Sequence, residues 1–250
     1  MNCRGDTKIS VITCSLTYSK DLMATINSVR NQESVVVEHI IVLPRSQEAL
    51  NLPGRSDLQV VFDDSLGVYG AMNLGLKVCT GKYVNFLNAG DVFESKLSLK
   101  LLVDSIGDKS LCYGQSRFQD SERSYVYNFF PYSKFLHKYS LKFIPHPSSL
   151  LLTESARELG GFNVDFRVSA DQLLLMQLCA KQGPSWVPEV TSVFKLDGVS
   201  SKRTPRDVIG DFIKISQIVG VKNASYKTSK VVFVAVLLLR ILRNLISIKG

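Results

Sequence analysis

The 250-residue chain has no Cys-x-x-Cys pair, and its five cysteines, Cys3, Cys14, Cys79, Cys112 and Cys179, are odd in number and widely spaced. Such spacing argues against a zinc ribbon or a disulfide framework, and the cysteines read as small buried apolar residues of a reducing compartment. Long hydrophobic runs are also missing. The run from Val231 to Leu239 has nine residues, against the roughly 20 that a membrane-spanning helix needs. The opening MNCRGDTK has no apolar segment behind its charges, so an export signal is not expected. Acidic residues are scarce at one end only: from Lys202 onward ten Lys/Arg face two Asp, which accounts for the whole net charge of +8 and leaves residues 1–201 neutral. The basic tail therefore favours an anionic surface as its partner.

What is present is enough to build a large core. Hydrophobic residues make up 45% of the chain and charged ones 21%, a balance that excludes disorder and suits an α/β protein. Lys8–Cys14 is β-branched and apolar and reads as the first strand; Ser19 then caps a helix with Leu22, Ile26 and Val29 at helical spacing, closed by Asn31-Gln32. Glu38–Val42 and Leu58–Phe62 read as the next strands, with His39 inside a strand and structural. The chain is organised around Gly67–Asp91, GVYGAMNLGLKVCTGKYVNFLNAGD. It holds a glycine turn, a helical segment from Ala71 to Val78, the Thr80-Gly81 break, and an apolar strand that ends in Asn88-Ala89-Gly90-Asp91. In open parallel sheets ligands sit at the carboxyl ends of strands, where this turn delivers the carboxylate. Ser98–Ile106 follows as a helix, then a short strand at Leu111–Gly114 and a strand at Trp186–Val193.

The order Tyr69, Ala71-Met72-Asn73, Gly75, Thr80-Gly81, Tyr83, Leu87-Asn88 and Asp91 resembles the nucleotide-sugar half of the family 2 glycosyltransferases of GT-A fold, of the bacterial surface-polysaccharide type. The resemblance implies an α/β fold with a mixed, mostly parallel sheet between helices. It divides the chain into a nucleotide-sugar half (1–115), an acceptor half (116–204) and a membrane-associated helical tail (205–250). It also implies that Asp91 holds Mn2+ or Mg2+ on the donor diphosphate, since hard cations prefer carboxylate and phosphate oxygens; the plain alternative for Asp91 is an N-cap or Asx turn. Donor contacts are expected from Thr13, Ser15, Asp64, Gly67, Tyr69, Met72, Asn73, Asn88, Ala89 and Gly90, with turn chemistry the alternative for Thr13, Ser15 and Asp64.

Two carboxylates of the family pattern are absent. Leu43 stands where the base-reading aspartate is usual, and Gly70 replaces the aspartate of the Tyr-Asp-Ala-Met-Asn run. In the second half, Ile144-Pro145-His146-Pro147 resembles the family's histidine-bearing strand and Leu159-Gly160-Gly161-Phe162-Asn163 its double-glycine loop. Ser169-Ala170-Asp171-Gln172 resembles the segment whose aspartate is the catalytic base. Ser169 and Gln172 have capping-box spacing, which would place Asp171 in the first helical turn. Ser200, Ser201 and Lys202 resemble the loop that closes over the diphosphate, with a solvated basic loop the alternative. The aromatic and basic residues between Arg117 and Lys142 suit a saccharide groove or the core better than nucleic acid.

The expected activity is inverting transfer of a sugar from a nucleotide-sugar donor to a lipid-linked saccharide, in the cytoplasm at the inner face of the cell membrane. A non-catalytic scaffold of the same fold is the alternative. The tail's apolar stripe suits a membrane surface, its own domain or the second subunit of a homodimer.

Overall fold

The computed structural model describes residues 7–47, 58–64, 67–127, 131–134, 137, 143–166, 168–196 and 205–219. The order of elements is β1 (Lys8–Cys14), α1 (Lys20–Arg30), β2 (Val36–Pro44), β3 (Leu58–Asp63), α2 (Gly67–Val78), β4 (Tyr83–Phe86), β5 (Val92–Phe93), α3 (Ser98–Ile106), β6 (Leu111–Gln119) and β7 (Ser124–Tyr127). The chain continues through β8 (Ser149–Leu152), α4 (Thr153–Glu158), α5 (Ala170–Gln182), β9 (Ser185–Lys195) and α6 (Pro205–Ile218). The strands form one sheet in the order β3-β2-β1-β4-β8-β6-β9-β5, with β7 paired to β6.

Parallel pairing is concentrated in the first half, where β3, β2, β1 and β4 all run the same way. Beyond β4 the neighbours β8, β6 and β7 pair antiparallel, and β6 returns to parallel pairing with β9. The sheet is sandwiched, and the period of two along β1 shows how. Ile9 and Val11 join the cluster formed with Val29 of α1 and with Leu99, Leu102 and Val103 of α3. Ile12 instead joins the cluster formed with Met72 and Leu76 of α2, Ala156 of α4 and Leu174 of α5. Every one of these side chains is buried, at about 1.5–3 kcal/mol for each large aliphatic.

The sequence-derived boundaries of β1 and α3 match the structure, and the hydroxyl of Ser19 caps α1 by accepting the Leu22 N–H at 3.2 Å. Helix α2 starts at Gly67, four residues earlier than the apolar spacing suggests. Helix α6, the first part of the tail by sequence, takes the own-domain alternative at Ile215, which is fully buried in the main core cluster. Residues 220–250, with the nine-residue apolar run and the basic amphipathic stripe, lie outside the described residues. Among the described residues no helix is long and apolar enough to cross a membrane.

Candidate active site

The turn after β4 stands at the carboxyl ends of β1 and β4, and three elements hold it. Leu87 N–H donates to the Ile12 carbonyl at 3.0 Å and Ala89 N–H to the Cys14 carbonyl at 3.1 Å, so the turn continues the β1–β4 ladder. Thr25, fully buried on α1, donates its hydroxyl to the Asp91 carbonyl at 2.8 Å and accepts the Gly90 N–H at 3.0 Å. Gly90 has φ +101°, a conformation that side-chain-bearing residues rarely adopt. At the end of β9, Lys195 donates its backbone N–H to Asp91 Oδ1 at 2.9 Å. Asp91 is only 5% exposed, and burial pushes its pKa up to about 7, against the opposing pull of the Lys195 N–H and the His146 charge. Next to it, Asn88 Oδ1 is buried without a hydrogen-bond partner. The N-cap alternative for Asp91 does not fit: the following helix, α3, starts only at Ser98 and has Leu97 at its cap.

A second carboxylate approaches from the other half. Asp171, in the first turn of α5, has Oδ2 3.2 Å from His146 Nδ1 and Oδ1 3.4 Å from the Tyr69 hydroxyl. An ionised carboxylate accepts only, so His146 presents an Nδ1–H to it and the other ring nitrogen is left for a further contact. That nitrogen, Nε2, is buried with no hydrogen-bond partner. His146 opens a short 3-10 turn, His146–Ser148, after Pro145, and its ring meets Phe194 edge-on at 6.5 Å between centroids. Tyr69, 8% exposed on α2, gives its one hydroxyl proton to the Val168 carbonyl at 2.5 Å, so its approach to Asp171 is a contact and not a second donated bond.

The family model for glycosyl transferase family 2 matches residues 10–160, a stretch that holds the β4 turn with Asp91 and the His146 turn and ends before Asp171. The chain belongs to that family. The glycosyltransferase is 28% identical over 224 residues to Rv1514c of Mycobacterium tuberculosis H37Rv, a protein named only as a glycosyltransferase, with 84% of this chain and 83% of that one covered. In fold it is similar to S. aureus TarS 1-349, at TM-score 0.66 and 15% identity over 89% of this chain and 68% of that one. A TarS structure in complex with UDP-GlcNAc matches at TM-score 0.61 and 16% identity, covering 85% of this chain and 65% of that one. The mannosyltransferase PcManGT from Pyrobaculum calidifontis, in complex with GDP-Man and Mn2+, matches at TM-score 0.54 and 17% identity, covering 76% of this chain and 57% of that one. These likenesses establish the GT-A fold.

Among the described residues no three His, Cys, Asp or Glu side chains cluster as metal ligands. The turn still fits a hard divalent cation that takes most of its oxygens from a diphosphate and water. It offers the buried Asp91 carboxylate and, beside it, the Asn88 amide oxygen that no protein group satisfies.

The other residues expected at the site divide into three groups. Ala89 and Gly90 build the Asp91 turn. Several are committed to the fold of the glycosyltransferase. The Thr13 hydroxyl is buried against His39 Nε2 at 2.9 Å, and Met72 is 2% exposed in the core. The Asn73 amide clamps the Phe162 backbone, donating to its carbonyl at 2.7 Å and accepting its N–H at 2.8 Å. Gly161, at φ +71°, has no room for a Cβ there, which would fall 2.4 Å from Asn73 Oδ1. Others lie past the carboxyl ends of the parallel strands β1 and β3. Ser15 donates to the Thr17 carbonyl, Gly67 starts α2, and Asp64 is exposed and bonded to Arg45 at 2.6 Å, a contact that lowers its pKa. Ser200, Ser201 and Lys202 lie outside the described residues.

Leu43, at the position of the missing base-reading carboxylate, is fully buried in a small cluster with Leu22, Ile26 and Ile41. Sequence reasoning missed Thr25 and Lys195: the first resembles any buried helix threonine, and the second acts on Asp91 through its main chain, which leaves no residue-type signal. The Ser169/Gln172 capping box also does not form. Ser169 makes no side-chain cap bond, and Gln172 instead accepts the Ile144 N–H at 3.0 Å and donates to the Ile144 carbonyl at 2.7 Å. Tertiary pairing with the strand leading to His146 outcompetes the local cap.

Proposed function

We propose that the protein is an inverting, metal-dependent glycosyltransferase that moves a sugar from a nucleotide-sugar donor to a hydroxyl of a lipid-linked saccharide in bacterial surface-polysaccharide synthesis. The observation that carries this reading is the pair of carboxylates: Asp171 bonded to His146 at 3.2 Å and buried Asp91 held in the turn after β4. Asp171 takes the proton of the acceptor hydroxyl as that oxygen bonds to the anomeric carbon and the bond from that carbon to the diphosphate oxygen breaks. Attack opposite the leaving group inverts the anomeric centre. His146 holds the Asp171 carboxylate in place. A divalent cation bound through Asp91, with Asn88 as a further oxygen donor, would neutralise charge on the departing nucleoside diphosphate. The donor lies along the carboxyl ends of β1–β3, where Ser15, Asp64 and Gly67 stand, with Tyr69 nearer the sugar and Ser200, Ser201 and Lys202 on the diphosphate. The basic tail carries the enzyme to the inner face of the cell membrane, where its acceptor is.

The test is thermal denaturation of the purified protein with UDP, GDP, TDP or CDP, each with and without Mn2+, repeated on Asp91→Ala. A ligand that binds only the folded form raises Tm by mass action. One nucleotide should stabilise the wild type only when Mn2+ is present, and Asp91→Ala should abolish that shift. The burial of Leu43 and the loss of an acid at Gly70 favour a second reading, a non-catalytic scaffold; a wild type that no nucleotide stabilises under any condition would select it.

A further inference from the structure

Helix α5 carries Asp171, yet the group at its entrance comes from elsewhere in the chain. Asp211 of α6, 5% exposed, accepts the Val168 N–H at 2.9 Å and the Ser169 N–H at 3.1 Å with one carboxylate oxygen. Burying a carboxylate is costly unless hydrogen bonds compensate. Ile215, one turn further along the same helix and fully buried, already supplies the apolar packing. The charge at Asp211 therefore serves the two amides it binds, and it lies at the positive end of the α5 dipole. The Val168–Ser169 peptide is gripped from both sides, by Asp211 at the Ser169 N–H and by the Tyr69 hydroxyl at the Val168 carbonyl. That same hydroxyl reaches Asp171 Oδ1, and Asp171 reaches His146.

We infer that Asp211 is a positioning residue for the reaction: from α6 it fixes the Val168–Ser169 entry to α5 and so sets where Asp171 meets His146 and the acceptor hydroxyl. The assignment rests on Asp171 being the general base. General-base catalysis needs heavy atoms within hydrogen-bond reach, and a displacement of about 1 Å can cost on the order of 100-fold in rate.

The experiment compares wild type with Asp211→Ala, Asp211→Asn and Asp211→Glu by three readouts. These are amide exchange at Val168 and Ser169, the imidazole 15N resonances of His146, and turnover of UDP-GlcNAc and GDP-mannose on a bacterial membrane extract with Mn2+. D211A should lose protection at both amides, shift the His146 resonances and lower kcat by 10- to 50-fold, with KM for the donor within twofold. D211N, which still accepts hydrogen bonds, should restore most of each readout. D211E keeps the charge but moves it by one methylene, and should fall between them; it stands in if D211A does not fold. Unchanged His146 resonances and kcat in a folded D211A or D211E, with only Tm lowered, would overturn the inference and leave Asp211 a stability residue. Asp171→Asn separates the two readings. If it turns over normally the base assignment fails, and the His146 resonances still report whether Asp211 positions the pair. If neither donor is turned over, those resonances alone decide.

Discussion

Asp91 and Asp171 are both carboxylates in one crevice, but the protein holds them in different ways. Asp91 is fixed by the main chain: a glycine turn, a threonine staple from α1 and one backbone N–H from β9, with no cation bonded to it and with burial driving its pKa up to about 7. Asp171 is surrounded by side chains, His146, Tyr69 and Gln172. A carboxylate left short of charge partners is ready to gain one on binding, whereas one already paired with an imidazole is held and aimed by it. The proposed roles, the cation at the first and the proton at the second, follow that contrast.

The largest effect should come from Asp171→Asn, which keeps the shape and removes the base: kcat should fall by about 10^3-fold or more, while nucleotide binding with Mn2+, followed by thermal shift, stays near wild type. Loss of binding and turnover together would erase the contrast. Next is Asp91→Asn. A folded-state pKa raised above the unfolded one means that the protonated acid is the stable form. Its contribution is fully present below pH 4 and is lost as pH rises to about 7. Removing the ionisable group should therefore stabilise the cation-free protein at pH 8 by up to about 4 kcal/mol, leave it unchanged at pH 4, and abolish Mn2+-dependent nucleotide binding. Denaturant melts at the two pH values check this, and a variant equally destabilised at both would refute it.

A third variant, Thr25→Val, keeps the volume but removes the staple on the Gly90–Asp91 turn. It should cost about 1–3 kcal/mol and weaken Mn2+-dependent nucleotide binding while leaving the His146 resonances in place. The smallest effect belongs to Glu38, away from the crevice. Burial opposes its ionisation, but hydrogen bonds from Lys8, Ser10 and Thr80 win and hold its pKa down at about 2. Its stabilisation is present above about pH 4.5 and disappears as pH falls through about 2. Given its partial exposure, Glu38→Gln should cost about 1–2 kcal/mol at pH 7 without changing kcat or KM; a change in either would tie the β2 edge to the site.

The donor side was the more legible in sequence, because its signals are local. Strand β1, helix α3 and the turn at Asp91 declare themselves through contiguous apolar periodicity and glycine placement, so their boundaries could be read directly. The local rule failed at α5, where Ser169 and Gln172 have capping spacing but the cap is not made, since Gln172 gains two bonds to Ile144 across 28 residues. It failed again for Asn73, whose amide is satisfied by a loop 89 residues away. Those errors share a cause: a polar side chain bonded to a distant backbone leaves no periodicity to read. His146 and Asp171 could be proposed singly from sequence, but their pairing could not.

The bond from the Lys195 N–H to Asp91 sets an order of assembly. It joins the turn after the fourth strand to a peptide made 104 residues later, so on the ribosome the first half of the chain emerges and pairs its parallel strands long before its acidic turn is complete. The strand carrying Lys195 pairs with β6 and β5, and it cannot arrive until most of the second half has been synthesised. The nascent chain is thus without its finished Asp91 turn through most of its own translation, and the first half expressed as a separate fragment will lack the contact that fixes Asp91.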